Sequence, residues 1–481
     1  MWNSKYIRQV ADKSKSLSPG VKASVALFIA NIIQKGISFL TTPLYTRMLT
    51  TEEFGQASVF FTWQQLFGII AMFCLSYGVF NNGMIDYPQK RDEYSFSLLI
   101  LSNIITVAFS IILFITLPLT EQYIGLSVAQ LILMLLTFLF QPAYDFWNSR
   151  QRYELKYKSI FIWATIVAVV SPAISVACIL LTKGSKLDAR IFGAAGSLIF
   201  INLLFYIYLG RKSGWKIDTS YWKGALLFNL PLIPHYLSTY VLGSADRIMI
   251  AHLVGDSEAA FYSLAYSVAS IALAVWSAIN ASLVPYTYEN CKRKNYKSIA
   301  NVVQPILVAF ALICGLVIFC APEVILILST EEYMQAIYVI PPIIGGIFFQ
   351  VQYYIYANIV YYYKRPKYVM YASVSAAILN IIMNYIFIKK YGFIAAGYTT
   401  IICYIVQAVI DYFAMKKVVA EPVYNMKFII GLSVTVIGVA LLSNLLYPFT
   451  MIRYVIIIAV FIMAFIKRKK ITTIFAAIRK K

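Results

Sequence analysis

Beyond a polar first 22 residues, apolar runs alternate with short polar connections along the whole chain. A helix needs about 20 apolar residues to cross the hydrocarbon core of a bilayer, so each run predicts a transmembrane helix. The runs fall at about 23–46, 54–80, 95–118, 126–146, 158–182 and 191–210, then at about 225–254, 258–288, 298–321, 334–362, 367–388 and 393–415. A closing hairpin at about 428–447 and 451–466 brings the count to about fourteen. The predicted fold class is an all-α polytopic membrane protein. Its parts are an N-terminal tail (1–22), a first lobe of helices 1–6 (23–210), a linker (211–224), a second lobe of helices 7–12 (225–415), helices 13–14 (416–466) and a basic tail (467–481).

Two sets of six spans predict an internal duplication, and traces of one recur at an offset of about 200 residues. Gly193-Ala-Ala-Gly196 opens the sixth span and Ile394-Ala-Ala-Gly397 the twelfth. Leu49 to Gly55 follows the first span as Leu253 to Phe261 follows the seventh, and Lys90 to Tyr94 is matched by Lys292 to Tyr296. Small residues recur wherever membrane helices pack closely, so it is the shared order of the three matches that argues for two parallel halves.

Composition fits this picture. The chain is 60% hydrophobic and 13% charged, whereas soluble domains are about a quarter charged. The net charge of +21 would suggest nucleic acid if it formed one folded basic face, but it is distributed by topology instead. Of 41 Lys and Arg, 32 lie in the two tails and every second loop, seven on the opposite side, and Lys35 and Arg247 within spans. This positive-inside pattern predicts both termini in the cytoplasm and no nucleic-acid partner. The first span follows a basic tail and is too long for a cleavable signal, so it is read as an anchor. The last residues, from Ile471, are read as an interfacial helix. Six scattered cysteines are read as packing residues, and two histidines make a histidine metal site improbable.

The polar positions inside spans carry the candidate chemistry. Lys35 sits mid-span, where a lysine costs roughly 2.5–3.5 kcal/mol and normally faces a bundle interior or a watery cavity. Asn31, Lys35, Ser38, Thr42 and Tyr45 recur at steps of three and four, so one face of that helix is polar throughout. In the seventh span Asp246 and Arg247 are adjacent and point about 100° apart, toward different partners. Pro231 and Pro234 predict a bend there, and Asn229, Tyr236, Tyr240, Gly243 and Arg247 form a stripe with His235 and Thr239 beside it. Equivalent polar faces on the first and seventh spans predict a shared cavity, with structural ion pairing as the rival reading. Arg47, at a span end, fits a snorkelling anchor. Asp246 is the candidate for a coupling ion, H+ or Na+, because Asp145 and Asp411 fall near cytoplasmic ends. The tyrosine-rich run from Gln350 to Tyr363 is read first as an interfacial belt and second as a sugar-stacking wall. The chain carries no Walker loop, dinucleotide fingerprint or zinc motif, so it is read as no enzyme and as requiring no cofactor.

Two stretches resemble a known family. Lys35-Gly-Ile-Ser-Phe-Leu-Thr-Thr-Pro-Leu-Tyr-Thr-Arg-Met-Leu-Thr-Thr-Glu-Glu-Phe-Gly55 is similar to the opening signature of bacterial polysaccharide flippases of the Wzx type. Pro231-Leu-Ile-Pro-His-Tyr-Leu-Ser-Thr239 with Ser244-Ala-Asp-Arg-Ile-Met-Ile250 resembles their seventh-helix segment. The resemblance implies the MATE-like fold of the MOP superfamily, two six-helix lobes in a V around a central cavity, in the bacterial cytoplasmic membrane. It implies a substrate, an undecaprenyl-pyrophosphate-linked oligosaccharide of O-antigen, capsule or a related polymer, moved between leaflets by alternating access. Membrane lipid, and a polysaccharide polymerase with its assembly proteins, are the implied partners. On this reading Lys35, Arg247 and Arg47 hold the pyrophosphate, and Asn31, Ser38, Thr42, His235 and Tyr240 line the substrate site. The closing hairpin is expected to line a groove for the lipid tail. The alternative is a cation-coupled exporter of small amphipathic drugs; a scaffold within a polymer-assembly complex is a third class.

Overall fold

A computed structural model describes residues 19–466, excluding the side chains of 19–32, 119–122, 461 and 463–466. Both tails and the Asn31 side chain therefore lie outside the described residues, and so does the interfacial helix expected from Ile471. Eighteen α-helices and two short 3-10 segments make up the described secondary structure, with no strand among those residues. Among the described residues eleven segments are long and apolar enough to cross a membrane, and they match the third to thirteenth runs expected from sequence.

The chain divides into two compact units, one comprising residues through Leu44 with Trp63–Ile233, the other Tyr45–Thr62 with Pro234 onward. The first unit holds most of α1 (Pro19–Met48) and the end of α2 (Thr51–Ala71), then α3 (Gly78–Asp86), α4 (Arg91–Ile124), α5 (Val128–Tyr153), α6 (Tyr157–Leu181), α7 (Lys186–Ser213) and α8 (Ser220–Asn229). Its aromatic core includes Phe80, Phe96, Phe146 and Phe205, all buried. Local signals set several helix ends. Ser127 forms a capping box with Gln130 at the start of α5, and Gly214 closes α7 in the left-handed region at φ 63°.

The second expected span, 54–80, is broken. Residues 72–77 form a turn between α2 and α3, with Phe73 at φ 55° and Cys74 at φ 49°. Backbone freed inside a membrane must find partners within the protein, and here side chains supply them. Thr106 and Ser102 of α4 donate to Ala71 O (3.1 Å) and Met72 O (3.4 Å). Asn229 of α8 donates to Phe73 O at 2.9 Å, and Ser149 of α5 to Ser76 O at 2.9 Å. Asn229, expected on the polar stripe of the seventh span, is thus committed to this break. The Pro231 and Pro234 bend takes the form of a 3-10 turn at Leu230–Leu232.

The second unit contains α9 (Ile233–Ser244), α10 (Asp246–Leu253), α11 (Asp256–Lys292), α12 (Tyr296–Phe319), α13 (Ala321–Leu328), α14 (Ile340–Tyr362), α15 (Pro366–Tyr391), α16 (Ile394–Val418), α17 (Met426–Leu446) and α18 (Thr450–Ile466). Its centre is α14, which packs on α11, α12, α15, α16 and α17. Nearly all of the tyrosine-rich run lies on this helix, and the belt reading fails for part of it: Tyr353, Tyr356 and Asn358 are buried, whereas Tyr354, Tyr361, Tyr362 and Tyr363 are half-buried. Gln352 donates to Ser433 at 2.7 Å and Asn358 to Asn280 at 2.9 Å, so the polar groups of the run hold helices together. The closing hairpin is fastened to the same unit, with Arg453 of α18 donating to both Glu323 carboxylate oxygens (2.9 and 2.8 Å) and to Phe319 O (2.8 Å).

Candidate functional site

On α1 the expected polar face is regular helix. Lys35 and Ser38 are exposed, Thr42 is buried, and the Thr42 hydroxyl donates to Ser38 O at 2.9 Å. Thr42 therefore spends its donor on its own helix, as hydroxyl residues in membrane helices commonly do. Lys35 belongs to the first unit and Arg247 to the second.

The hairpin that follows is part of the second unit. Thr46 donates to Leu328 O at 2.7 Å and Arg47 to Ile327 O at 3.1 Å, so both engage the carbonyl end of α13. A cation at a helix C-terminus is electrostatically favourable; Arg47 is thereby placed as an anchor of the hairpin. The two connections matched by the repeat meet here. Gln56 donates to Asp256 at 2.9 Å, and the hydroxyls of Thr51 and Ser257 lie 2.9 Å apart. Gly55 lets the backbones approach, since a Cβ at that position would stand 1.8 Å from Asp256 O.

Asp246 and Arg247 do reach different partners. Asp246 is fully buried, and its carboxylate accepts from Tyr262 of α11 at 2.5 Å, from Asn384 of α15 at 2.5 Å and from Thr400 of α16 at 3.1 Å. Asn384 also donates to Asn380 Oδ1 at 3.2 Å and accepts from Thr399, and Asn380 donates to Thr400 at 3.3 Å. The result is a closed knot of oxygens and amides in which four helices meet and whose one formal charge is a carboxylate. Arg247 is half-buried, with its guanidinium 4.7 Å from the centre of the Tyr266 ring. An arginine stacked on an aromatic face keeps its N–H donors free for an anion.

Tyr240 donates to Thr62 O at 3.0 Å, across to the end of the hairpin segment. His235 is half-buried and shares a 3.0 Å hydrogen bond with Ser373, which also receives Ser238 at 3.2 Å. That is the environment of a satisfied packing histidine. Sequence reasoning missed Tyr262, Asn380, Asn384 and Thr400. The signal was available in Asn380 and Asn384, an i, i+4 amide pair on one face of an apolar helix. Among the described residues no group of three or more His, Cys, Asp and Glu could hold a metal ion.

Comparison with known proteins gives two family matches. The model described as "Polysaccharide biosynthesis protein" matches residues 21–291, and the MatE model matches residues 231–386. The chain is 24% identical over 377 residues to Lsg locus putative protein 1 of Haemophilus influenzae, covering 75% of this chain and 89% of that one. It is 24% identical over 405 residues to a probable low-salt glycan biosynthesis flippase, Agl15, of Haloferax volcanii, covering 81% and 82%. Among solved structures, the lipid II flippase MurJ in an inward closed conformation superposes with a TM-score of 0.65 at 15% identity, over 94% of this chain and all of that one. An inward-facing MATE-family multidrug transporter superposes with a TM-score of 0.62 at 15% identity, over 83% and 98%. The fold is MATE-like.

Proposed function

From the premise that this chain belongs to the polysaccharide biosynthesis protein family, whose model matches residues 21–291, we propose that it is a flippase for lipid-linked oligosaccharides. That match is the observation that carries the reading, because it spans both stretches that resemble the Wzx type. The substrate class is an undecaprenyl-pyrophosphate-linked oligosaccharide of a surface polysaccharide. A glycan flippase named among the relatives supports this.

Three chemical demands follow from such a substrate. Its pyrophosphate needs cations, and Lys35, exposed at the middle of α1, and Arg247, held by stacking on Tyr266, are the groups we assign to it. Its sugars need hydrogen-bonding side chains, which we assign to Asn31, Ser38 and the neighbouring polar positions. Its transport against a gradient needs a coupled cation, H+ or Na+, and we assign that ion to Asp246 and the oxygens of Asn380, Asn384 and Thr400 around it. The topology is that of a multi-pass protein of the bacterial cytoplasmic membrane with both termini inside, as the Lys and Arg asymmetry favours. A polysaccharide polymerase and its assembly proteins would receive the product.

The test is translocation of a lipid-linked oligosaccharide by the purified chain in vesicles, with Lys35→Ala and Lys35→Arg alongside. Loss with alanine and retention with arginine is expected. Unchanged transport in Lys35→Ala removes the anion role. Drug efflux without lipid translocation would favour the exporter reading, which the MatE match over residues 231–386 motivates.

A further inference from the structure

The second unit contains a second carboxyl that the coupling centre does not use. Asp411 of α16 is fully buried, and neither of its oxygens has a hydrogen-bond partner. One turn back on the same helix, Gln407 is 3% exposed and its Oε1 also lacks a partner. Three buried acceptor oxygens one turn apart on the same helix thus receive no hydrogen bond. The acceptors cannot satisfy one another, and an ionised carboxylate in such a place would bear the full cost of burial without a counter-charge.

Among the described residues no cation of the elements packed against α16 donates to Asp411. From α14 the titratable side chains within electrostatic reach are Tyr353 and Tyr361. From the same half of α15 come Lys367, which is exposed, Tyr368, whose ring carries Lys417 at 5.2 Å, and Tyr371, which is exposed. The nearest lysines on α16 itself are Lys416 and Lys417, in its last turn.

A single proton resolves the mismatch. It turns one Asp411 oxygen into a donor, and a glutamine four residues away on a helix is within reach of it. We propose that Asp411 is a proton-binding site of the second unit, protonated at neutral pH and hydrogen-bonded to Gln407 Oε1. The site is not isolated. Thr400, Tyr404, Gln407 and Asp411 recur at steps of four, three and four on the buried face of α16, so a polar stripe of about 16 Å joins this carboxyl to the one that Thr400 touches. At its side Tyr404 lies within electrostatic reach of Tyr266 of α11. A role for the stripe in coupling rests on the assignment of Asp246 above, whereas the proton on Asp411 does not.

Infrared difference spectroscopy of the full chain in lipid nanodiscs, with isotope-labelled aspartate, tests the site directly. The carbonyl-stretch band of a protonated aspartic acid is expected at neutral pH in the wild type and in Asp246→Asn, and is lost in Asp411→Asn. Gln407→Leu should move the band to higher frequency by removing its acceptor. Identical carboxyl regions in wild type and Asp411→Asn would overturn the proposal. So would a carboxylate signal lost in Asp411→Asn, because a sodium ion or the Gln407 amide would then be meeting those oxygens. Should Asp411→Asn fail to fold, Asp411→Glu must remove the band from the label-sensitive set while leaving a protonated carboxyl behind. A negative result here leaves the assignment of Asp246 standing, since that is read by cation-dependent stability and not by this band.

Discussion

If Asp246 holds the coupling cation, charge and hydrogen bonding at this residue can be separated by two substitutions. Asp246→Ala removes the acceptor for Tyr262, Asn384 and Thr400 together. At about 1–3 kcal/mol for each buried donor left unpaired, the ceiling on the loss is about 9 kcal/mol, and the variant should be recovered poorly. Asp246→Asn keeps the volume and one acceptor oxygen, so its loss should be nearer about 1–3 kcal/mol. The informative quantity is the response to the ion. A cation bound only by the folded state stabilises it by about 2.7 kcal/mol at a hundred times its dissociation constant. Thermal unfolding of the purified chain, with sodium exchanged for choline at constant ionic strength and repeated across pH, should show such a shift in the wild type with sodium or with protons. The sodium-dependent part of the shift should vanish in Asp246→Asn, and the proton-dependent part should shrink to what Asp411 and Glu154 contribute. An equal shift in both proteins, or none in the wild type under either gradient ion, would refute the assignment.

Three further outcomes follow from the geometry. Gly55→Ala places a Cβ where only 1.8 Å is available, and at about 1–3 kcal/mol for overpacking it should lower the yield of a disulfide between Thr51→Cys and Ser257→Cys; an unchanged yield contradicts the close approach. Arg453→Met strands Glu323, which is a third exposed, so the loss in equilibrium unfolding should lie near the low end of the ~3–5 kcal/mol for a broken buried pair, and adding Glu323→Met should restore most of it. Burial works upward on the Glu154 carboxyl, but Lys156 and Arg150 hold it at about 2 against an ordinary 4.5. Its contribution is therefore complete above the ordinary value and is lost as pH falls through that window. A pH series of wild type against Glu154→Gln should show the two converging in acid, and a difference that persists there is the contrary result.

Most helices were legible in the sequence because the signal for a membrane helix is its length and apolarity, which need no tertiary context. The break at 72–77 was not, because Met72-Phe-Cys-Leu-Ser-Tyr77 is an apolar run without proline or glycine; what makes the turn tolerable is supplied by α4, α5 and α8. The same reason explains the tyrosines of α14. Their composition suits an interface, and only the packing of five helices on α14 puts Tyr353 and Tyr356 inside. Lys35, Asp246 and Arg247 stood out as charges in apolar runs, which is a local property. Asp411 was set aside for lying near a cytoplasmic end, yet its face was readable, since Thr400, Tyr404, Gln407 and Asp411 share a helical period. Position along a span is a poorer guide to burial than position around it.

The broken second span also constrains the order in which this protein can be made. The carbonyl of Phe73 waits for Asn229, 156 residues later in the chain, and that of Ser76 waits for Ser149, 73 residues later. A bare carbonyl in hydrocarbon costs several kcal/mol, so until α8 has emerged the nascent second span is better off as an unbroken helix or held by water or insertion machinery. The turn at 72–77 is then a late product of biogenesis, formed by helices that arrive after it. Truncations ending before and after Asn229 should differ in the accessibility of Cys74 to a thiol reagent, and equal labelling would place the break earlier.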